Sequence, residues 1–256
     1  MTMPPDAIPA RDYDGVARDV LAARVGVPQL ALFDEVGSTQ DVAHALAAAG
    51  APAGTLVLAD AQRSGRGRQG RAWQSARGAG IWMTLVERPI DPAAIEVLSL
   101  RLGLAAARAL DPWAPDPVRL KWPNDLLVAG GKLAGILVEA RWREQRVDWV
   151  AIGFGLNVRP PSDVVTGAGL RAGTDRGAVL AALVPALRNA TMRHGALTES
   201  ELAEYRRRDA ARGRRAVQPV EGVVQGITAA GALLVATDAG DVQVRAGSLV
   251  FAEDRC

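Results

Sequence analysis

Between two apolar stretches the chain carries AQRSGRGRQGRAW, residues 61–73, in which three glycines spaced G-x-G-x-x-G alternate with arginines and end on Trp73. Glycine lets a backbone approach a ligand closely, guanidinium groups match phosphate oxygens, and an indole offers a face to a purine. A dinucleotide fingerprint would need a helix opening at the last glycines, and residues 71–80 have no helical periodicity. No G-x-x-x-x-G-K-[ST] string occurs, and H-R-D and D-F-G are absent, which excludes a Walker loop and a kinase. Arginine-glycine tails bind RNA but are usually terminal, whereas this segment is wedged between strands. The segment therefore reads as a loop for a nucleotide's phosphates, with a solvated basic turn as the plain alternative.

Of the 30 basic residues only Lys121 and Lys132 are lysine. A chain that uses arginine almost everywhere keeps lysine where a compact, mobile ammonium suits and a planar fork does not. Lys121 lies in RLKWPNDLLV at a strand end, Lys132 in GGKLAGILVEA at the start of the next strand, and IGFGLNV closes a further strand with Gly153, Gly155 and Asn157. Each could be an ordinary turn or strand-end residue. Together with the loop they suggest one site.

The elements that must carry these residues alternate. One helix is expected over residues 13–25, too little for a helix-turn-helix module. A strand follows from Gln29, then a capping box at Ser38-Thr39-Gln40-Asp41 opens a helix that stops at Gly50. Residues 55–61 and 80–86 read as strands flanking the loop, and Asp91-Pro92 starts the most regular helix, which runs to Asp111-Pro112. Four strands, 118–122, 125–129, 132–142 and 147–157, follow one another across short turns, as in hairpins of a mixed or antiparallel sheet. Residues 160–173 read as a loop, two helices are expected at 178–193 and 199–212, and the glycine-punctuated remainder reads as a small all-β domain packed on the main body. The organisation expected is thus an extension (1–28), a main α+β domain with a mixed sheet flanked by helices (29–212), and a β domain (213–256).

With 49% hydrophobic residues among 256, the chain can bury a full core, and a net charge of +2 argues against a general nucleic-acid partner. Its one cysteine, Cys256, cannot form an internal disulfide, which fits a reducing compartment. No run is long enough for a membrane span and no signal-peptide layout opens the chain, so a cytoplasmic location is expected.

GRGRQGRAW, KWPNDLL, GGKLAGILVE and IGFGLNV resemble, in order and spacing, the motifs of biotin protein ligases, and the β tail resembles that family's SH3-like C-terminal domain. The resemblance implies a fold shared with lipoate ligases and a two-step reaction. Biotin and Mg²⁺-ATP give biotinyl-5′-AMP, and a lysine of a biotin carboxyl carrier domain then takes the biotinyl group. It implies Lys121 and Arg68 as catalytic, Lys121 bridging the carboxylate and α-phosphate. It implies Ser38, Thr39, Gln62, Gly65, Arg66, Gly153 and Gly155, with Lys121, around biotin. Arg66, Arg68, Arg71, Trp73, Lys132 and Asn157 would hold ATP or the adenylate, and the carboxylates that meet Mg²⁺ are left unassigned. Gln40 stands where many relatives carry asparagine. The short N-terminal segment points to the monofunctional form without a DNA-binding domain, and a homodimer is among the assemblies the resemblance allows.

Two alternatives stay open. A lipoate or octanoate ligase shares the fold, yet its R-R-x-S-G-G-G-x-V-x-H-D string is missing. A biotin sensor without transfer activity would not need Lys121 and all the loop arginines. His44 and His194 are read as ordinary surface or helix residues, and no metal-site or serine-hydrolase spacing is present.

Overall fold

The computed structural model describes residues 7–88, 91–161 and 167–255, so Cys256 and part of the expected loop at 160–173 lie outside the described residues. In chain order the elements are β1 (Ile8–Pro9), β2 (Asp12–Tyr13), β3 (Val16–Ala17), α1 (Arg18–Val25), β4 (Gln29–Val36), α2 (Thr39–Ala48), β5 (Thr55–Gln62), β6 (Gly80–Glu87), α3 (Ile95–Leu110), β7 (Arg119–Lys121), β8 (Asp125–Val128), β9 (Gly131–Arg143), β10 (Arg146–Asn157), α4 (Arg176–Thr191), α5 (Glu199–Arg208), β11 (Arg215–Gln218), β12 (Gly222–Ile227), β13 (Leu233–Thr237), β14 (Gly240–Val244) and β15 (Val250–Phe251).

Eight strands form the main sheet in the order β1-β4-β5-β6-β10-β9-β8-β7. β4 and β5 run parallel, and the other pairings are antiparallel. Side chains of a strand alternate between faces, and here both faces are covered. Leu56 and Leu58 of β5 join the large core with α1, α3 and α4, while Val57 and Ala59 pack under α2 with Val42, Ala43 and Leu46. That double coverage is why TLVLADA is almost continuously apolar. The remaining five-stranded antiparallel sheet, β14-β13-β12-β11-β15, is the small C-terminal β unit, and Val235, Leu249 and Phe251 link its interior to the main core.

Two expected helices are shorter than read. The first begins at Arg18 because Asp14 and Gly15 both take positive φ, at 53° and 77°, and turn the chain between β2 and β3. Tyr13, expected in a helix, is instead buried, and its hydroxyl donates to the Gly80 carbonyl at 3.3 Å. The last helix ends at Arg208, not 212. Beyond it the Asp209 carboxylate accepts from Ala211 N at 2.8 Å and Ala210 N donates to Leu120 O at 2.9 Å, so the chain leaves the helix to run beside β7. Ser38 caps α2 through Gln40 N rather than in the reciprocal box. Residues 7–28 are integrated in the body, with β1 on the sheet edge and Leu21 and Val25 in the core.

Candidate active site

On the α2 side of the sheet, beyond the helix's N-terminus, a cavity of about 370 Å³ opens between β6, β9 and β10, the 63–73 loop and the C-terminal unit. Its floor is set by glycines. Gly135 and Gly155 face each other across β9 and β10, and the Trp73 ring lies on them: a Cβ at Gly155 would sit 2.4 Å from Trp73 Cε2, and one at Gly135 3.0 Å from Cζ3. Gly153, two residues earlier on the same face, leaves room for the Gln40 amide, 2.7 Å from where a Cβ would be. A side chain at any of these three positions would force its neighbour to shift.

One end of the cavity is polar and largely buried. Gln62 Oε1 accepts from Thr39 N at 2.8 Å and from the Thr39 hydroxyl at 3.0 Å, while Gln62 Nε2 donates to Ser75 Oγ at 2.7 Å. The Thr84 hydroxyl lies 2.9 Å from Thr39 Oγ1 and 3.2 Å from Gln40 Oε1. Such a network rigidifies a site because each buried polar group is held by its neighbours.

The other end is cationic. The 63–73 segment is a small hairpin: Trp73 N donates to Gly65 O and Gly67 N to Arg71 O, both at 2.8 Å, with Gln69 and Gly70 at positive φ on the tip. Arg68 reaches Asn124 Oδ1 at 3.1 Å and Gly247 O at 3.3 Å, and Arg71 reaches Ser248 Oγ at 3.3 Å, so the loop leans on the C-terminal unit. Burial and the neighbouring Arg71 charge lower the Arg68 pKa against the pull of Asp125, though a guanidinium stays charged. Lys121 Nζ stands 4.8 Å from the Phe251 ring centroid, and Lys132 Nζ pairs with Asp125 at 2.8 Å and lies 5.1 Å from the Trp73 ring. Trp73 Nε1 is buried without a hydrogen-bond partner within the described residues.

Most residues singled out in the sequence line this one cavity: Ser38, Thr39 and Gln62 at its polar end, Gly153 and Gly155 on the floor, and Arg66, Arg68, Arg71, Trp73, Lys121 and Lys132 around the rest. Two stand apart from the lining. Asn157, on the same face of β10 as Gly153 and Gly155, is buried and donates from Nδ2 to the Lys132 carbonyl at 3.2 Å. Gly65 packs under the hairpin, where a Cβ would lie 2.3 Å from Trp73 O. His194 is a surface residue and His44 a residue of α2, whose ring bridges Trp149 and Glu139. Sequence reasoning gave no role to Thr84, Glu139 or Ser248. Thr84 had one visible sign, a lone polar residue inside the apolar run GIWMTLV.

No group of three or more His, Cys, Asp or Glu side chains able to hold a metal occurs among the described residues. Among them, too, no helix is long and apolar enough to cross a membrane.

The model of the Biotin/lipoate A/B protein ligase family matches residues 32–157, and that of the biotin protein ligase C terminal domain matches 212–251. The biotin–[acetyl-CoA-carboxylase] ligase of Mycobacterium tuberculosis is 33% identical over 261 residues, which cover 94% of this chain and 96% of that one. The chain belongs to the biotin protein ligase family. The bifunctional ligase/repressor BirA of Bacillus subtilis is 41% identical over 157 residues, and the matched region spans only 48% of that longer relative. In three dimensions the chain is similar to the biotin protein ligase of Aquifex aeolicus solved in complex with biotin and ATP, with a TM-score of 0.72 and 25% identity over 88% of this chain and 100% of that one. The ligase fold, a mixed sheet flanked by helices with a small SH3-like β unit, is the architecture described above.

Proposed function

We propose that this protein activates biotin as biotinyl-5′-AMP and transfers the biotinyl group to a lysine of a biotin carboxyl carrier domain. The observation that carries the proposal is the single cavity in which a buried polar end and an arginine- and lysine-lined end meet across a glycine floor. A fused ring bearing a urea and a carboxylate tail matches the first end, and a nucleotide triphosphate matches the second. In the first step a carboxylate oxygen attacks the α-phosphorus, the bond to the β-phosphate oxygen breaks, and pyrophosphate leaves. Two anions must meet for this, so fixed cations are needed where negative charge develops. Lys121 serves the carboxylate and α-phosphate, and Arg68, Arg71 and Lys132 serve the remaining phosphates. Mg²⁺ enters as part of the ATP substrate. In the second step the deprotonated amine of the carrier lysine attacks the acyl carbon, and AMP departs.

Trp73 and Asn157 flank or hydrogen-bond the adenine, and Asn157 also donates to the Lys132 carbonyl. Residues 29–212 would perform the chemistry and 213–256 close the phosphate side, with 1–28 an extension of the main body. Dependence on ATP suits a cytoplasmic setting.

The test is biotin-dependent exchange of labelled pyrophosphate into ATP. Exchange should require biotin, fail with lipoate, and drop about 10²- to 10³-fold in Lys121→Ala, as for loss of one preorganised contact to developing charge. No exchange by folded wild type, or full exchange by the variant, would overturn the assignment.

A further inference from the structure

Glu139, on β9, receives hydrogen bonds from three separate places. Its Oε2 accepts from His44 Nε2 at 2.9 Å and Gln40 Nε2 at 3.1 Å, both from α2, and its Oε1 accepts from Arg66 Nη2 at 2.9 Å, from the loop. Burial opposes the ionised form, but the His44 and Gln40 bonds and the Arg66 charge outweigh it and hold the carboxyl below the usual range. His44 in turn is oriented by Trp149, whose Nε1 lies 3.0 Å from His44 Nδ1. An indole N–H can only donate, so Nδ1 is bare and the imidazole proton sits on Nε2, facing Glu139.

The same logic determines which way Gln40 points. Its Nε2 has two acceptors, Glu139 Oε2 and Ala151 O at 3.2 Å, and its Oε1 meets the Thr84 hydroxyl over Gly153. A flipped amide would set its oxygen against a carboxylate and a carbonyl, so the carbonyl faces the cavity. An amide oxygen has two lone pairs, and the Thr84 hydroxyl, whose one proton has Thr39 Oγ1 as its other acceptor, takes at most one.

We propose that Glu139 is a positioning residue: it holds Gln40 so that the polar end accepts an N–H from the ligand, and it ties the loop's Arg66 to that same end. The ligand chemistry read in this way is a cyclic urea, and the inference rests on the proposal that biotin occupies the cavity. His44, backed by Trp149, keeps the carboxylate in place. Asp41, which accepts from Arg66 Nη1 at 2.5 Å, is the second anchor of that arginine and leaves Gln40 untouched. Loss of Glu139 therefore bears on biotin before it bears on ATP.

The experiment is calorimetric titration of biotin into wild type, Glu139→Gln, His44→Ala and His44→Gln, with the KM for ATP taken from pyrophosphate exchange. Glutamine at 139 cannot accept from all three donors, so Glu139→Gln should weaken biotin on the order of tenfold, as for a lost hydrogen bond to a charged group, with the KM for ATP within about twofold. His44→Ala should move in the same direction, and His44→Gln, whose Nε2 can still donate to Glu139, should recover most of the loss. Unchanged biotin affinity in Glu139→Gln, an equal rise in the KM for ATP, or a His44→Gln variant as weak as His44→Ala would overturn the inference. If wild type itself takes up no biotin, the functional proposal falls and this one with it. Binding by wild type with no effect of any variant removes the positioning role alone.

Discussion

A single guanidinium, that of Arg68, joins three parts of the molecule: the glycine-arginine loop that carries it, the Trp-Pro-Asn turn through Asn124, and the C-terminal unit through the Gly247 carbonyl. Replacing it with glycine removes those ties and one cation from the phosphate side, while Lys121 stays. Arg68→Gly is therefore expected to keep pyrophosphate exchange but to release the acyl-adenylate early. Labelling of lysines on an unrelated protein checks this, and a variant that remains selective for its carrier would count against the role. Arg68 and Lys121 were legible in the sequence as candidates, one as a cation in a glycine-rich loop and the other as one of only two lysines. Thr84 and Glu139 were not, since their importance lies in which atoms from α2 and the loop meet them.

Among the elements, the 63–73 hairpin is the one built to move. Among its residues 66–71, none is buried, and its contacts outward are polar. Polar contacts at a surface protect backbone amides poorly, whereas filling both ends of the cavity would hold the hairpin from two sides. Amide exchange in 64–72 should slow when biotin and ATP are both added, and equal exchange with and without them would sink the idea. The strands around it were easy to read because β5 and β6 are covered on both faces and hence mostly apolar. Helix ends were harder. The Asp14-Gly15 turn replaces a helical turn by a two-stranded hairpin, and at Asp209 the chain leaves the helix to pair with β7, distant in sequence.

Across the whole molecule, α3 is joined to α5 by one buried ion pair. Arg101 is 2% exposed, and its Nε donates to Glu201 Oε1 at 2.9 Å, with further donations to the carbonyls of Gly195 and Ala196. Burial opposes ionisation of Glu201, yet the bonds from Arg101 and Thr198 prevail and depress its pKa. A depressed carboxyl contributes stability that is complete above its unfolded pKa of about 4.3 and is lost as pH falls through the folded value. Glu201→Gln leaves Arg101 buried and uncompensated and should cost about 3–5 kcal/mol at pH 7. In denaturant melts from pH 7 to 3 the gap between variant and wild type should narrow below about pH 4.3, and a constant gap would refute the assignment.

Local pattern alone determined most element types and the cluster of motif residues, because apolar periodicity, caps and unusual residue choice are local properties of a chain. The tertiary structure decided what those residues touch. Asn157 is seen to donate to the Lys132 carbonyl, and His44, on α2, to link Trp149 and Glu139. Gln40 acquired a definite orientation. A hydrogen bond depends on separations of a few tenths of an ångström between atoms that can lie a hundred residues apart, as Gln40 and Glu139 nearly do. Only the packed sheet brings such atoms into register.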